Sequence, residues 1–267
     1  MKKIFGETLR KKLFGLIVCG ILSANGAAEE SPRDFLIFGN AGRSVSAISL
    51  LQRYQDTHEV IGLDGATHWL TEKGIEPKYI LGDFDSLSED GELIGGALAA
   101  VRHFEGIPKP GDDEVVFEPY STGETTFIRA ASQNFTDLDK GIKFAIEKKA
   151  RSVKLINVLG GERTDHTLHN ISVLKKFHGQ ASLHIETDRE FLQFLRNEKT
   201  VFTGTVGAKF GLFGFPKATA TSTGLVWNLD DSYNLELGVQ DSSCNVLAEP
   251  EVHLEVKGEA FLVRPNY

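Results

Sequence analysis

The sequence predicts an α/β portion built on a mainly parallel sheet, followed by an all-β portion. Three observations carry this. From Asp34 onward, apolar runs of strand length alternate with amphipathic stretches of helical period. The early runs end in turns rich in glycine and aspartate, and strand–turn–helix alternation of this kind needs right-handed crossovers and parallel neighbours. After about Asp188 the pattern changes to short apolar or alternating runs separated by turns, as in an all-β unit. The change of pattern falls near 185–195. It divides the folded chain into an α/β domain over 31–188 and an all-β domain over 189–267.

The elements follow in order. Phe35-Leu36-Ile37-Phe38 is a buried strand, Gly39 to Gly42 its turn, and Ser46 to Tyr54 an amphipathic helix. The glycine spacing departs from the dinucleotide fingerprint, so no NAD site is inferred. Glu59 to Leu63 is the second strand, ending at Asp64-Gly65-Ala66, and Thr67 to Lys73 a short helix. Tyr79-Ile80-Leu81 is the third strand, and Gly82 turns the backbone into Asp83-Phe84-Asp85-Ser86. Between Leu87 and Ser132 the pattern is looser, with loops at Ile107 to Asp113 and Tyr120 to Gly123 and an edge strand at Val115 to Phe117. Thr136 or Asn134 caps a helix running to about Lys149. Val153 to Leu159 is a further strand, and a helix runs from about Thr167 to Phe177. Thr200 to Phe202, Lys209 to Phe215, Thr219 to Trp227 and Val252 to Val256 are the strands of the all-β portion.

Composition bounds the function. A chain of 267 residues with a formal net charge of −8 is a poor nonspecific partner for nucleic acid or for an anionic membrane. Phosphate substrates stay open, because a bound divalent cation inverts the local potential. Cys19 and Cys244 make no disulfide framework, which fits a reducing, cytoplasmic setting. Residues 1–30 are set outside the fold as a leader or loose extension. Lys2, Lys3, Arg10, Lys11 and Lys12 precede an apolar run, Leu13 to Leu22, and a small-residue stretch, as in a signal peptide. That run is too short to span a bilayer, and Glu7 argues against a signal, so export or organelle targeting stays open.

The candidate site residues lie at strand ends, where open α/β sheets bind ligands. Asp83 and Asp85, one residue apart, are either a polar turn preceding a helix cap at Ser86 or a hard-oxygen pair for Mg2+. Asp64 closes the preceding strand in the same way and converges on the same crevice. Asp137 and Asp139 sit in a first helical turn, which explains them structurally and also leaves an anion site open. At Gly160-Gly161-Glu162-Arg163-Thr164-Asp165-His166, Arg163 offers a two-pronged phosphate contact, and Asp165 a metal ligand or a helix cap. His166 and His169 are read as ordinary histidines, since no suitable third ligand accompanies them.

Taken together, Asp64-Gly65-Ala66, Gly82-Asp83-Phe84-Asp85-Ser86, Thr136-Asp137 with Lys140, and the segment from Gly160 to His166 resemble, in order, the thiamine pyrophosphokinase family. The segment Thr221-Ser222-Thr223-Gly224-Leu225-Val226-Trp227-Asn228-Leu229 resembles that family's Thr-Gly-Leu-x-Trp segment, and Ser242-Ser243-Cys244-Asn245 falls where the family has a Ser-Asn pair. The similarity covers roughly residues 35–265. It implies an α/β part holding ATP and Mg2+, a β-sandwich part helping to bind thiamine, and a homodimer with active sites at the interface. The implied reaction moves pyrophosphate from ATP to the thiamine hydroxyl, leaving AMP. Asp83, Asp85 and Asp64 would hold the metal, and Arg163 would neutralise charge on the transferred group. Asp137 and Asp165 would complete the metal shell or orient the hydroxyl. Thr136, Lys140, Asn245 and Cys244 would line the substrate sites, with Trp227 as a stacking face for thiamine.

Some positions depart from the family pattern. Ser132 and Asn134 stand where many members have a further pair of aspartates, Cys244 replaces the usual serine, and His68 a frequent asparagine. Two alternatives stay open: a noncatalytic thiamine-binding protein on the same scaffold, which the missing carboxylates allow, and a metal-dependent phosphohydrolase with Asp83 as its nucleophile, since Asp83-Phe84-Asp85-Ser86 resembles the nucleophile loop of the haloacid-dehalogenase type.

Overall fold

The computed structural model describes residues 33–85, 96–109, 111 and 114–266. The strands are β1 (Arg33–Phe38), β2 (Glu59–Leu63), β3 (Tyr79–Gly82), β4 (Glu118–Thr122), β5 (Thr125–Arg129) and β6 (Ala150–Ile156). They continue as β7 (Ser182–Glu186), β8 (Glu190–Thr203), β9 (Lys209–Thr223), β10 (Asn234–Glu236), β11 (Ser242–Val246) and β12 (Glu251–Pro265). All join one 12-stranded sheet in the order β10-β9-β12-β8-β7-β6-β1-β2-β3-β5-β4, with β11 paired to β9. The stretch from β7 through β6, β1, β2 and β3 to β5 is parallel, as the alternation of elements predicts.

Helices α1 (Val45–Tyr54), α2 (Thr67–Glu72), α3 (Gly96–Phe104), α4 (Asp137–Glu147) and α5 (Thr164–Lys176) accompany the parallel strands. Alternation along β1 sorts its side chains between two cores. Leu36 and Phe38 meet Leu51, Trp69 and Leu70 from α1 and α2. Phe35 and Ile37 meet Leu138, Ile142 and Val173 from α4 and α5. A smaller cluster under α3 joins Ile80, Phe84, Ala100, Phe104 and Phe127. Every residue from Phe35 to Phe38 is fully buried, which is why the strand is apolar throughout.

The structure corrects several sequence expectations. The loop expected at Tyr120 to Gly123 is instead β4 and its turn, paired antiparallel to β5 about Gly123 at φ 62°. Val115 to Phe117 is not a strand; the edge strand is β4, just after it. Strand β6 stops at Ile156 rather than Leu159, because Asn157 turns to φ 58°. Helix α5 begins at Thr164 rather than Thr167, and α3 and β7 have no counterpart in the expected elements. Ser86, the whole of residues 1–30 and part of the 107–113 loop lie outside the described residues.

The second half is all β, but its strands are long. β8, β9 and β12 run 14, 15 and 15 residues and extend from the first core into a second one. Leu192, Phe194 and Phe261 belong to the first core, whereas Leu195, Phe202, Phe210, Leu212 and Leu254 belong to the second. The expected boundary at 188/189 lies in the turn between β7 and β8, where Glu186 pairs with Phe191.

Candidate active site

The carboxyl ends of β2 and β3 meet at three aspartates. Asp64 follows β2 and is buried, Asp83 follows β3 and is half-buried, and Asp85 is exposed. One oxygen from each lies within 4.8 Å of the others. Backbone amides hold Asp64 in place: Gly65 N–H donates to Oδ1 at 2.6 Å and Phe84 N–H to Oδ2 at 3.0 Å. The carboxyl group fits because position 82 is glycine; a Cβ there would stand 2.4 Å from Asp64 Cγ.

Phe84 explains how two aspartates flanking one residue can serve one crevice. Its φ of 64° lies in the left-handed region, which is unfavourable for a bulky side chain. Its buried ring packs 5.8 Å from Phe104 and 6.1 Å from Phe127, anchoring the turn in the core under α3.

Helix α4 brings a fourth acid. Thr136 is its N-cap, with Oγ1 accepting from Asp139 N–H at 3.2 Å. Asp137 in the first turn accepts from the buried Lys140 Nζ at 2.9 Å and is in hydrogen-bond contact with Asp64. Asp139 points elsewhere: its buried carboxylate takes Thr136 Oγ1, His169 Nε2 at 2.9 Å and Lys176 Nζ at 2.7 Å, tying α4 to α5. Asp139 and His169 are structural, as the sequence reading favoured.

The electrostatics follow from this crowding. Burial first, then the charges of Asp137 and Asp83, push Asp64 up to about 8. Burial likewise raises Asp137, against the pull of Lys140. Burial alone would raise Asp83, but hydrogen bonds from Gln133 and Asp85 outweigh it and hold Asp83 below the usual carboxylate value. Gln133 Nε2 donates to Asp83 Oδ2 at 2.7 Å. The sequence reading missed Gln133, since its position beyond a strand end is visible only once β5 is placed.

These residues fit a hard divalent cation. The donors are all carboxylate oxygens, their negative charge is concentrated, and Lys140 is directed to Asp137. Arg163 and Asp165, by contrast, pair with each other at the start of α5, with Nε to Oδ1 at 2.9 Å, and both are exposed. Mutual contact raises the Arg163 pKa and lowers that of Asp165.

The remaining predicted residues lie in the all-β half. Trp227 is 62% exposed on the turn after β9 and is not a core residue. Buried Asn245 holds that turn by its backbone: Nδ2 donates to Trp227 O at 2.8 Å, and Oδ1 accepts from Trp227 N–H at 3.3 Å. Cys244, beside it, is an exposed free thiol at φ 59°. Asn228 and Ser222, which lie in the segment that carries the resemblance but have no expected role there, complete the turn by accepting from Leu225 N–H and Leu229 N–H.

Comparison with known proteins identifies the family of the chain. The profile of the family described as "Thiamin pyrophosphokinase, catalytic domain" matches residues 50–186, which include all four clustered aspartates, Lys140, Arg163 and Asp165. A thiamine pyrophosphokinase from Bacillus subtilis is 30% identical over 137 residues, 51% of this chain and 52% of that protein. Thiamine pyrophosphokinase 3 of Oryza sativa subsp. japonica is 30% identical over 163 residues, 55% of this chain and 59% of that one. The match thus spans little more than half the length of either relative. Among solved structures, the Bacillus subtilis thiamine pyrophosphokinase superposes with TM-score 0.65 at 22% identity, covering 87% of this chain and 99% of that one. The Candida albicans thiamin pyrophosphokinase gives TM-score 0.66 at 15% identity, covering 88% and 89%. These two show the likeness of fold, and the profile match over half the chain shows the kinship. The chain belongs to the thiamin pyrophosphokinase family.

Proposed function

We propose that the chain transfers the diphosphoryl group of ATP to the hydroxyl of thiamine, giving thiamine diphosphate and AMP. The observation that carries this reading is the convergence of Asp64, Asp83 and Asp85 within the stretch that the family profile matches. Mg2+ held by these carboxylates would neutralise charge on the phosphate oxygens, the main requirement of phosphoryl-type transfer. The chain's own residues do the rest. The amides of Gly65 and Phe84 hold Asp64, and Gln133 holds Asp83, so the carboxylates are oriented before substrate arrives. Thr136 caps α4 and keeps Asp137 in its first turn, where Asp137 orients the attacking hydroxyl and Lys140 balances its charge. Arg163, released from Asp165, would meet the transferred group, which leaves Asp165 to approach the metal.

Trp227 would stack on thiamine, with Asn245 and Cys244 setting the shape of its turn. Strands β12, β8, β7, β6 and β1 stand between β9, which leads to Trp227, and β2, which leads to Asp64. Strand spacing makes that about 29 Å along a flat sheet, so a homodimer is the arrangement we favour, one copy's Trp227 serving the other's aspartates. We also read the all-β half as a sandwich around the second core, and the cytoplasm as the site of action. Among the described residues, no helix is long and apolar enough to cross a membrane.

The test is the purified full chain with ATP, MgCl2 and thiamine. Equimolar AMP and thiamine diphosphate, abolished by EDTA, are expected. Thiamine binding without AMP release would indicate the noncatalytic alternative. Inorganic phosphate with a phosphorylated Asp83 would indicate the phosphohydrolase, which the family match does not favour.

A further inference from the structure

Strands β6 and β7 carry ionisable side chains on a sheet face where a covered parallel strand is ordinarily apolar. Lys154 lies two residues from Ile156, which packs under α1, so both share that face. Lys154 pairs in register with His184 on β7. One step on, Glu186, Phe191 and Arg264 form a cross-strand row over β7, β8 and β12. Helix α1 packs on β1 and β6, and its last residue, Tyr54, walls the row. The result is a cavity of about 380 Å3 lined by Tyr54, Lys154, Glu186, Phe191, Phe202 and Arg264. That volume lies within the range of small-molecule sites.

The charges in this cavity are unequally matched. Glu186 is buried and supplied: Tyr54 Oη donates to it at 2.7 Å and Lys154 Nζ at 3.3 Å. Arg264 is half-buried, with its guanidinium carbon 3.8 Å from the Phe191 ring centre and 5.6 Å from that of Phe202. Its one hydrogen bond among the described residues goes from Nη1 to Pro265 O at 3.2 Å. A guanidinium has five N–H donors, so most of this fork is unused. Burial also holds its pKa below the usual value. A partly desolvated fork beside aromatic walls suits a flat anion, which it can grip by two parallel hydrogen bonds.

We propose that this cavity binds a small planar organic anion, with its carboxylate or phosphate on Arg264 and its ring beside Phe202, since the Phe191 ring is already stacked by His184 at 4.1 Å and by Arg264. The site is separate from the aspartate cluster, with β6 and β1 standing between β7 and β2.

The experiment is calorimetric titration of the full chain with benzoate, phenyl phosphate and the uncharged isostere benzamide. EDTA is present so that no metal at the aspartates attracts an anion. One or both anions should bind at least about tenfold more tightly than benzamide. Which of the two binds better tells a carboxylate ligand from a phosphate one. Arg264→Gln should weaken anion binding about tenfold or more, while melting temperature and AMP formation stay unchanged. Arg264→Lys keeps the charge and covers the case in which Arg264→Gln fails to fold. It should bind the anion more weakly than wild type but still prefer it to benzamide. Failure of both anions to bind, equal binding of benzamide, or unchanged anion affinity in either Arg264 variant would overturn the proposal.

Discussion

The strained turn at Phe84 shows how single residues make this site. Its left-handed backbone costs about 1–2 kcal/mol, offset by burial of the ring beneath α3. Asp83 and Asp85 are thereby held beside Asp64, with Asp85 N–H donating to Asp83 Oδ1 at 3.5 Å. Replacing either with asparagine should reduce turnover about a hundredfold or more, roughly 2.7 kcal/mol of barrier. Melting temperature should hold for Asp85→Asn and fall slightly for Asp83→Asn, because the fold favours the ionised form of Asp83 through its hydrogen bonds. Near-normal turnover in both variants would remove them from the chemistry. Trp227 has the opposite profile, being exposed and, among the described residues, hydrogen-bonded through its backbone alone. Trp227→Ala should therefore change stability by no more than about 0.5 kcal/mol. If the indole stacks on thiamine, the KM for thiamine should rise about tenfold or more while that for ATP barely moves, and Trp227→Phe should recover much of the loss. Equal damage to both substrates would mean that the turn, not the ring, matters.

At the scale of elements, the link between α4 and α5 positions the acid face of the crevice. Asp139 joins Thr136, His169 and Lys176 through one buried carboxylate. Asp139→Ala would remove the carboxylate from all three, leaving Thr136 Oγ1 and His169 Nε2 to each other at 3.1 Å, and urea unfolding should show a loss of about 2–3 kcal/mol. An unchanged unfolding midpoint would mean that the carboxylate adds nothing to the link between the helices. The strands that position the aspartates were legible in the sequence because β1, β2 and β3 are local apolar runs with acids at their ends. Elements stabilised by less local means were not. Strand β4 alternates between half-buried and exposed positions, so Tyr120-Ser121-Thr122 offered no apolar run to notice. Strand β7 places His184 and Glu186 on a buried face, which breaks the apolar pattern that marks its neighbours. β8 and β12 were seen only in part, because exposed charges interrupt them where they cross from one core to the next. The aspartates were legible from spacing and position, whereas Gln133 depends on the hairpin and the exposure of Trp227 on the packing of its turn.

Across the whole molecule, one polar cluster joins helix α1, the parallel strands and the last strand, and it makes stability depend on pH. Burial alone would raise the pKa of Glu186, but hydrogen bonds from His184, Tyr54 and Asn266 and the charge of Lys154 outweigh it, bringing the value to about 2. In the unfolded chain this carboxylate takes up a proton near its ordinary pKa of 4.5. Its contribution is thus present in full above about pH 4.5 and is lost as pH falls toward 2, amounting to about 3 kcal/mol. Burial lowers the pKa of His184, so the unfolded chain also protonates first at this group. That costs stability as pH falls below about 6.5, the same direction as Glu186. The aspartate crevice acts oppositely, since its raised carboxyl groups gain protons on folding. The difference between wild type and Glu186→Gln isolates the cluster, because the crevice is common to both. Urea unfolding at pH 7.5, 5.5 and 4 should show wild type more stable at pH 7.5, with the gap kept at pH 5.5 and narrowed at pH 4. A gap that stays constant or widens toward pH 4 would show that Glu186 is not held as an ion by these partners.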